Sequence, residues 1–316
     1  MIETPLHRHT PLIDSRPLSE RFGVKVRLKL ETEQPVRSFK IRGIGRLAQH
    51  RVRGGAKTLV SSSGGNAGLA AAYAGRQLGV PVTVVVPSTT PEFMREQLRA
   101  ESAEVLEHGD AWDEAHAHAL RLAEQRSGAV LHPFDDPEIW AGHSTVITED
   151  EDARRPDAVL VAVGGGGLLC GVAEGLAARG WDDVPIVAVE TEGAASLARS
   201  VAAGERVTLP SIESIATTLG ARTVGRQTFE WTAKREVSCV TVTDEAALEA
   251  CQAFHDDHRV WVEPSCGAAL AALSARRVAF PDARDLLVIV CGGAGVHPEL
   301  IAQWETRLGI EDPFGP

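Results

Sequence analysis

The sequence lacks any run of 18 uncharged apolar residues, so it offers no segment of the kind that spans a membrane. Its first residues also lack the basic and apolar regions of a secretory signal peptide. Cysteines are few and none stands in a CxxC pair, which argues against a disulfide framework or a structural zinc site. We therefore expect a protein of the reducing cytoplasm. The five cysteines are Cys170, Cys239, Cys251, Cys266 and Cys291.

Long basic runs are missing as well. The net charge is −11, so neither nucleic acid nor an anionic membrane is expected as the main partner. Small anionic ligands stay compatible with this charge, because local geometry rather than global charge binds them.

Lysine is scarce, because only five of the 32 basic residues are lysines. One of them, Lys40, stands between Phe39 and Ile41. An arginine stays charged at any relevant pH, whereas a lysine in apolar surroundings can lose its proton and become a nucleophile or a Schiff-base partner. The alternative is a lysine that snorkels over apolar neighbours toward water, and these residues taken alone favour that alternative.

Residues 24–30 alternate between apolar and basic side chains, a pattern typical of a half-buried strand. The pattern places Val26 and Leu28 on the buried face, and it predicts that Lys25 and Lys29 meet solvent. A helix is predicted over residues 39–49, with Lys40 in its first turn. The helix dipole at that position disfavours a positive charge and so favours a neutral amine.

Strands and helices alternate from residue 58 onward, which is typical of an α/β fold with parallel sheets covered on both faces. A chain of 316 residues favours about two domains or one large α/β unit. Residues 35–137 have the pattern of a small open α/β unit, and the second half of the chain repeats the alternation.

Four consecutive glycines, residues 164–167, follow a predicted strand and precede a predicted helix. Their backbone N–H groups can converge on one point, and the helix N-terminus adds partial positive charge, which suits a phosphate. A tight turn would need only one or two glycines. The run matches neither GxGxxG nor GxxxxGK, so it favours a single phosphate over a dinucleotide or a nucleoside triphosphate.

Two more polar stretches fall at predicted strand ends, the edge at which open parallel sheets bind ligands. Residues 63–67 offer hydroxyl, amide and backbone donors ahead of a helix, a combination that can hold a carboxylate. A plain helix cap is the alternative for that stretch. Cys291 ends an apolar strand, where buried structural cysteines are common, but a neutral thiol there could also hydrogen-bond a ring nitrogen without protonating it.

These features together predict one cofactor. A lysine that can deprotonate, a loop for one phosphate, a loop for a carboxylate and a polar group for a heteroaromatic nitrogen are what pyridoxal 5′-phosphate and an amino acid require. Each alternative interpretation is reasonable for its own stretch, but all of them together are much less so.

At these residues the sequence resembles the serine dehydratase-like branch of the fold-type II pyridoxal-phosphate enzymes. The match runs in family order through most of the chain, in residues 38–43, 62–68, 133–137, 163–171, 262–270 and 290–293. The resemblance implies two open, mostly parallel sheets flanked by helices. It also implies a large cofactor-binding domain of residues 1–34 and 138–316, a small domain of residues 35–137, and a homodimer.

The resemblance further implies a role for each site residue. Lys40 would hold the cofactor through a Schiff base and remove the substrate Cα proton, and Cys291 would bond the pyridine nitrogen. Phe39 would pack on the ring, and Asn66 would bond its 3′ oxygen. The phosphate would be bound by Gly164, Gly165, Gly166, Gly167 and Leu168, and the substrate carboxylate by Ser63, Gly64, Gly65, Asn66 and Ala67. A monovalent cation such as potassium would be held by Gly164, Glu190, Ala194, Leu219 and Ala221.

The reaction expected from the resemblance is β-elimination, which converts L-serine to pyruvate and ammonia and L-threonine to 2-oxobutyrate. One alternative is a β-replacement synthase similar to cysteine synthases, whose pattern usually has a threonine in the carboxylate loop and a serine at the ring nitrogen. A second is an amino-acid racemase, which needs a base on the opposite face of the ring. A third is a non-catalytic anion-binding module, which would have no need for Lys40.

Overall fold

The computed structural model of this chain describes residues 4–275 and 281–310, which form two sheets with helices packed on their faces. Three stretches of the predicted large domain, residues 1–3, 276–280 and 311–316, lie outside the described residues. The strands are β1 Leu12–Asp14, β2 Lys25–Leu30, β3 Leu59–Ser61, β4 Val82–Val86, β5 Glu104–Glu107, β6 Ala129–Leu131, β7 Ala158–Ala162, β8 Ile186–Thr191, β9 Val237–Val242 and β10 Asp285–Val290.

The helices alternate with these strands as the sequence pattern predicts. They are α1 Arg16–Phe22, α2 Lys40–Arg53, α3 Asn66–Leu78, α4 Glu92–Ala100, α5 Trp112–Gln125, α6 Pro137–His143, α7 Thr145–Thr148, α8 Gly167–Ala178, α9 Ser196–Ala203, α10 Arg226–Lys234, α11 Asp244–His258, α12 Pro264–Ala271 and α13 Pro298–Leu308.

The larger sheet has six strands in the order β1-β2-β10-β7-β8-β9, and only the β1–β2 pair is antiparallel. The smaller sheet has four parallel strands in the order β5-β4-β3-β6. The strands of the smaller sheet all come from the range predicted as the small domain, while the domain boundaries themselves stay a prediction. The predicted α/β class with two mostly parallel sheets is confirmed.

The two sheets are packed by separate apolar cores. The core of the larger sheet surrounds β7, β8 and β10, whose side chains are buried on both faces, as expected for central parallel strands. The cores of the smaller sheet gather the alanine-rich α3, the first turns of α2, and one face of α5.

The prediction that Lys25 and Lys29 meet solvent is wrong for Lys29, and Lys25 is only partly exposed. The Lys29 side chain is 1% exposed and forms 2.5 Å ion pairs with both Glu149 and Asp150. Arg27, on the same face, is also buried and donates to Asp285 at 2.6 Å. The basic face of β2 is therefore covered. Carboxylates distant in sequence pair with the basic side chains that the alternating pattern predicted to meet solvent.

No helix of the two described ranges combines the length and the apolar character that crossing a membrane requires.

Candidate active site

Lys40 is brought to the end of strand β10 by backbone hydrogen bonds. The Phe39 N–H donates to the Cys291 carbonyl at 3.0 Å, and the Gly293 N–H donates to the Arg37 carbonyl at 2.9 Å. Gly292 leaves room for this approach, because a Cβ there would lie 2.9 Å from the Ser38 side chain. The segment that carries Lys40 and the segment that carries Cys291 are thus fixed side by side.

The Lys40 amine lies in surroundings that favour its neutral form. Its side chain is partly accessible from outside, but burial of the amine lowers the pKa of Lys40 to about 8, while the neighbouring Cys291 and Glu263 act in the opposite direction. Lys40 is also the first residue of α2, as predicted, and no side chain caps that helix. An ordinary solvated lysine is almost fully charged at neutral pH, so a far larger fraction of this amine is free to act as a nucleophile or a base.

The turn before α6 holds the Lys40 amine in place. Nζ of Lys40 donates to the Pro133 carbonyl at 2.7 Å. The turn is stiffened by Nδ1 of His132, which accepts from the N–H groups of Phe134 at 3.2 Å and Asp135 at 2.8 Å. The role of the Pro133 carbonyl was not predicted from the sequence, because every residue type has a backbone carbonyl.

The glycine loop between β7 and α8 adopts a conformation that only glycines can take. Gly166 has φ +89°, and a Cβ on it would overlap Thr228. A Cβ on Gly165 would overlap the Phe134 ring, and one on Gly167 would lie 2.6 Å from the Phe134 carbonyl oxygen. Helix α8 begins at Gly167 without a side-chain cap, so its first N–H groups are available to an anion.

The predicted carboxylate loop lies at the end of β3. Oγ of Ser63 accepts from the Gly65 N–H at 3.3 Å, and α3 begins at Asn66 without a side-chain cap. Gly64 packs against the loop between β4 and α4, where an added Cβ would lie 2.7 Å from the Thr90 side chain. The loop therefore presents a hydroxyl and backbone N–H groups next to a positive helix end, which suits a carboxylate.

Cys291 is 5% exposed and lies beside a hydroxyl group. Its Sγ is 3.8 Å from Oγ of Ser265, and either atom can be the donor. Ser265 is itself 3% exposed. Ser265 was not predicted as a site residue, although it lies in one of the stretches that carry the resemblance.

Asn66 reaches across from α3 to the residue that precedes α12. Its Nδ2 donates to the two carboxylate oxygens of Glu263 at 3.0 and 2.9 Å. Its Oδ1 is buried and has no hydrogen-bond partner among the described residues. A buried amide oxygen without a partner is unfavourable and indicates that a bound group supplies the missing donor.

One residue predicted to hold a monovalent cation, Glu190, reaches the start of α9. The Glu190 carboxylate accepts from the N–H groups of Leu197 and Ala198, both at 2.8 Å, and burial raises the pKa of Glu190 to about 7. Oγ of Ser196, in the same turn, is buried and has no hydrogen-bond partner in the part of the chain that the structure describes.

The other residues predicted to bind the cation lie in neighbouring segments of the chain. The Val163 N–H donates to the Val189 carbonyl at 2.8 Å, which sets Gly164 beside Glu190. A Cβ on Gly164 would lie 3.0 Å from Cα of Leu219, and the Ala221 N–H donates to the Leu219 carbonyl at 2.8 Å. Ala194 is buried in the turn between β8 and α9.

Three observations fit the predicted pyridoxal phosphate. The pKa of the Lys40 amine is lowered to about 8 by burial, the glycine loop ends at an uncapped helix, and the buried Asn66 Oδ1 has no donor among the described residues. The three lie at carboxyl ends of parallel strands or next to them, which is where such sheets bind ligands.

The comparisons agree with this geometry. Residues 3–292 match the family described as pyridoxal-phosphate dependent enzyme. The chain is 44% identical to an L-serine dehydratase/L-threonine deaminase of Mus musculus, over 96% of this chain and 97% of that protein. Among solved structures it is similar to a fungal L-serine ammonia-lyase from Rhizomucor miehei, with 34% identity, a TM-score of 0.91 and 96% and 99% of the two chains covered.

A solved structure of maize serine racemase also matches, with 27% identity, a TM-score of 0.87 and 96% and 94% of the two chains covered. The predicted fold class, the fold-type II architecture, is confirmed by these likenesses.

Proposed function

This chain belongs to the pyridoxal-phosphate dependent enzyme family, and we propose that it is an L-serine/L-threonine ammonia-lyase. The observation that carries the proposal is the Lys40 amine, which is held at 2.7 Å from the Pro133 carbonyl and has its pKa lowered to about 8. A non-catalytic anion-binding module would have no use for such an amine. The 44% identity to an enzyme named for the same reaction supports the substrate class.

Within this proposal Lys40 has two tasks. Its amine would hold pyridoxal phosphate, and the same amine, when free, would take the substrate Cα proton as a general base. When bound, pyridoxal phosphate supplies an electron sink for the negative charge that develops at Cα. The Pro133 carbonyl, which accepts from the Lys40 amine at 2.7 Å, fixes where the free amine lies.

The remaining site residues orient the reactants. The glycine loop and Leu168 at the start of α8 would bind the phosphate, and Phe39 would pack on the ring. Cys291, with Ser265 beside it, would offer the ring nitrogen a neutral donor, and Asn66 would bond the 3′ oxygen. Residues 63–67 bind the substrate carboxylate through N–H and O–H donors, which fixes the Cα–H bond relative to Lys40.

The finer parts of the proposal are a homodimer, a cytoplasmic location and a potassium ion near Glu190. The absence of disulfides among the described cysteines suits a reducing compartment. Two buried polar groups at the start of α9, the Glu190 carboxylate and the partnerless Ser196 hydroxyl, suit a cation with oxygen ligands.

The purified protein tests the proposal directly. We expect an absorption band at about 410–420 nm, which borohydride reduction abolishes while it modifies Lys40, and release of pyruvate from L-serine. A protein that shows no band even after the cofactor is added would contradict the proposal. A band without keto-acid release, with D-serine as product, would favour a racemase, and a new thioether from serine and sulfide would favour a β-replacement synthase.

Potassium activation should depend on pH through Glu190. Because burial raises the pKa of Glu190 to about 7, protons compete with the cation below that pH. The half-saturating potassium concentration should therefore rise roughly tenfold for each pH unit below about 7. Activity titrations with KCl at constant ionic strength, balanced with tetramethylammonium chloride, measure this. A half-saturating concentration that is the same at every pH, or unchanged in Glu190→Gln, would count against the cation site.

A further inference from the structure

Glu263 is a buried carboxylate that connects the two halves of the site. It is 2% exposed, stands immediately before helix α12 and is anchored by its own N–H, which donates to the Gly292 carbonyl at 3.1 Å. Its carboxylate accepts from Nδ2 of Asn66 at 3.0 and 2.9 Å and from the Gly295 N–H at 2.8 Å. Asn66 begins α3 beside the smaller sheet, and Gly295 follows the last strand of the larger one.

The Glu263 carboxylate decides which way the Asn66 amide faces. Both Glu263 oxygens accept from Nδ2 of Asn66, and one of them also accepts from the Gly295 N–H, so the NH₂ group of Asn66 is the end directed at Glu263. The opposite orientation would set Oδ1 of Asn66 against two carboxylate oxygens, which repel it. The Oδ1 that results from the observed orientation is the buried oxygen without a partner.

We infer that Glu263 is a positioning residue that acts through Asn66 and makes Oδ1 the group that meets the cofactor's 3′ oxygen. This inference rests on the proposed function. An acceptor at that place pairs with the 3′ oxygen in its protonated, hydroxyl form, whereas an NH₂ group would pair with the ionised form. Glu263 thereby biases the protonation state of the bound cofactor without touching it.

Glu263 also acts on the Lys40 amine. The titratable groups that face Lys40 are Cys291, Glu263, His132 and His143. The Glu263 charge is one of the two influences that raise the pKa of Lys40 against the effect of burial. Removing that charge should lower the pKa of Lys40 below about 8.

Glu263→Gln is the central variant, because glutamine keeps the shape and one acceptor but removes the charge. Its NH₂ group would face Nδ2 of Asn66, donor against donor, and Asn66 would rotate to present Oδ1 to it. The Asn66 NH₂ would then face the cofactor. We expect the absorbance at about 410–420 nm to increase relative to the shorter-wavelength band of the protonated cofactor at each pH of the titration.

Two further readouts accompany the spectrum. The dissociation constant for pyridoxal phosphate, measured by equilibrium binding to apoenzyme, should rise about tenfold. The pH midpoint for capture of the cofactor by the apoenzyme should move down relative to wild type. Glu33→Gln is the matched control, because Glu33 is exposed, and its spectrum, affinity and midpoint should equal those of the wild type.

A double variant tests the route of the effect. In an Asn66→Ala background, adding Glu263→Gln should leave the band ratio unchanged, because the side chain that transmits the effect is gone. A further spectral change in that background would overturn action through Asn66. A Glu263→Gln holoenzyme with the wild-type spectrum and affinity would overturn the inference as a whole.

Glu263→Asp keeps the test open if the glutamine variant does not fold. Aspartate retains the charge that orients the amide, so the band ratio should stay at the wild-type value even where affinity falls. A shift of that ratio toward the longer-wavelength band in Glu263→Asp would overturn the assigned orientation. Failure of the proposed function looks different, because the wild-type protein itself would then take up no pyridoxal phosphate.

Discussion

Replacing Lys40 by alanine should lower kcat for L-serine by at least about 10³-fold, because the chain then lacks both its covalent attachment and its general base. Lys40→Arg should be equally inactive, since a guanidinium stays charged and cannot take a proton. Keto-acid release, followed at saturating serine and added cofactor, measures the loss. Affinity for pyridoxal phosphate should fall much less than kcat, because the glycine loop and Asn66 remain.

Lys57→Ala is the control for that experiment. Lys57 is exposed on the surface before β3, and its removal should leave kcat within about twofold of wild type, as usual for surface substitutions. Borohydride treatment followed by peptide mapping should find the modification on the peptide that contains Lys40. A Lys40→Ala variant that keeps a tenth of the wild-type kcat would show that another group acts as base.

Replacing Arg42 by methionine should lower the free energy of unfolding by about 3–5 kcal/mol, the usual cost of leaving a buried charge without its partner. The Arg42 side chain is 0% exposed, as is that of Glu31, to which it donates at 2.7 and 2.8 Å. It also donates to Glu149 at 2.6 and 2.7 Å. Urea unfolding of both proteins, extrapolated to water, measures the difference.

Arg46, one turn later in α2, provides the matched control. Its ion pair with Glu138 has a similar distance, 2.9 Å, but the Arg46 side chain is 52% exposed. Arg46→Met should therefore change the free energy of unfolding by only about 0–1 kcal/mol. Equal losses in the two variants would contradict the argument, since they would mean that burial of the pair does not matter.

The pH dependence of the Arg42 effect has a definite sign. Hydrogen bonds from Arg42 and Lys29 and their charges lower the pKa of Glu149 to about 2, despite its burial. A carboxylate with a depressed pKa contributes stability that is present above its unfolded pKa, about 4.5, and lost as the pH falls through about 2. The stability difference between wild type and Arg42→Met should shrink over that interval.

Much of the fold could be predicted because local sequence patterns determine it. The alternation of apolar strands and helices predicted parallel sheets. The strand predicted before residues 164–167 ends at Ala162, and the strand predicted before Cys291 ends at Val290. Lys40 was placed correctly at the start of a helix. These features depend on neighbours within a few residues, such as a glycine that allows φ +89° at Gly166, so the chain alone contains the information.

The sequence by itself determined the identity of the reactive groups: a lysine among apolar residues, a glycine run before a helix, and a polar loop at a strand end. The tertiary structure alone decided how those groups are charged and which way they face. Lys29 is buried against Glu149, and Asn66 is oriented by Glu263, partners 120 and 197 positions away. Pairing at such separations depends on sheet order and helix packing. Burial also strengthens each charge interaction, and the burial of a side chain depends on the folded chain as a whole and not on its neighbours in sequence.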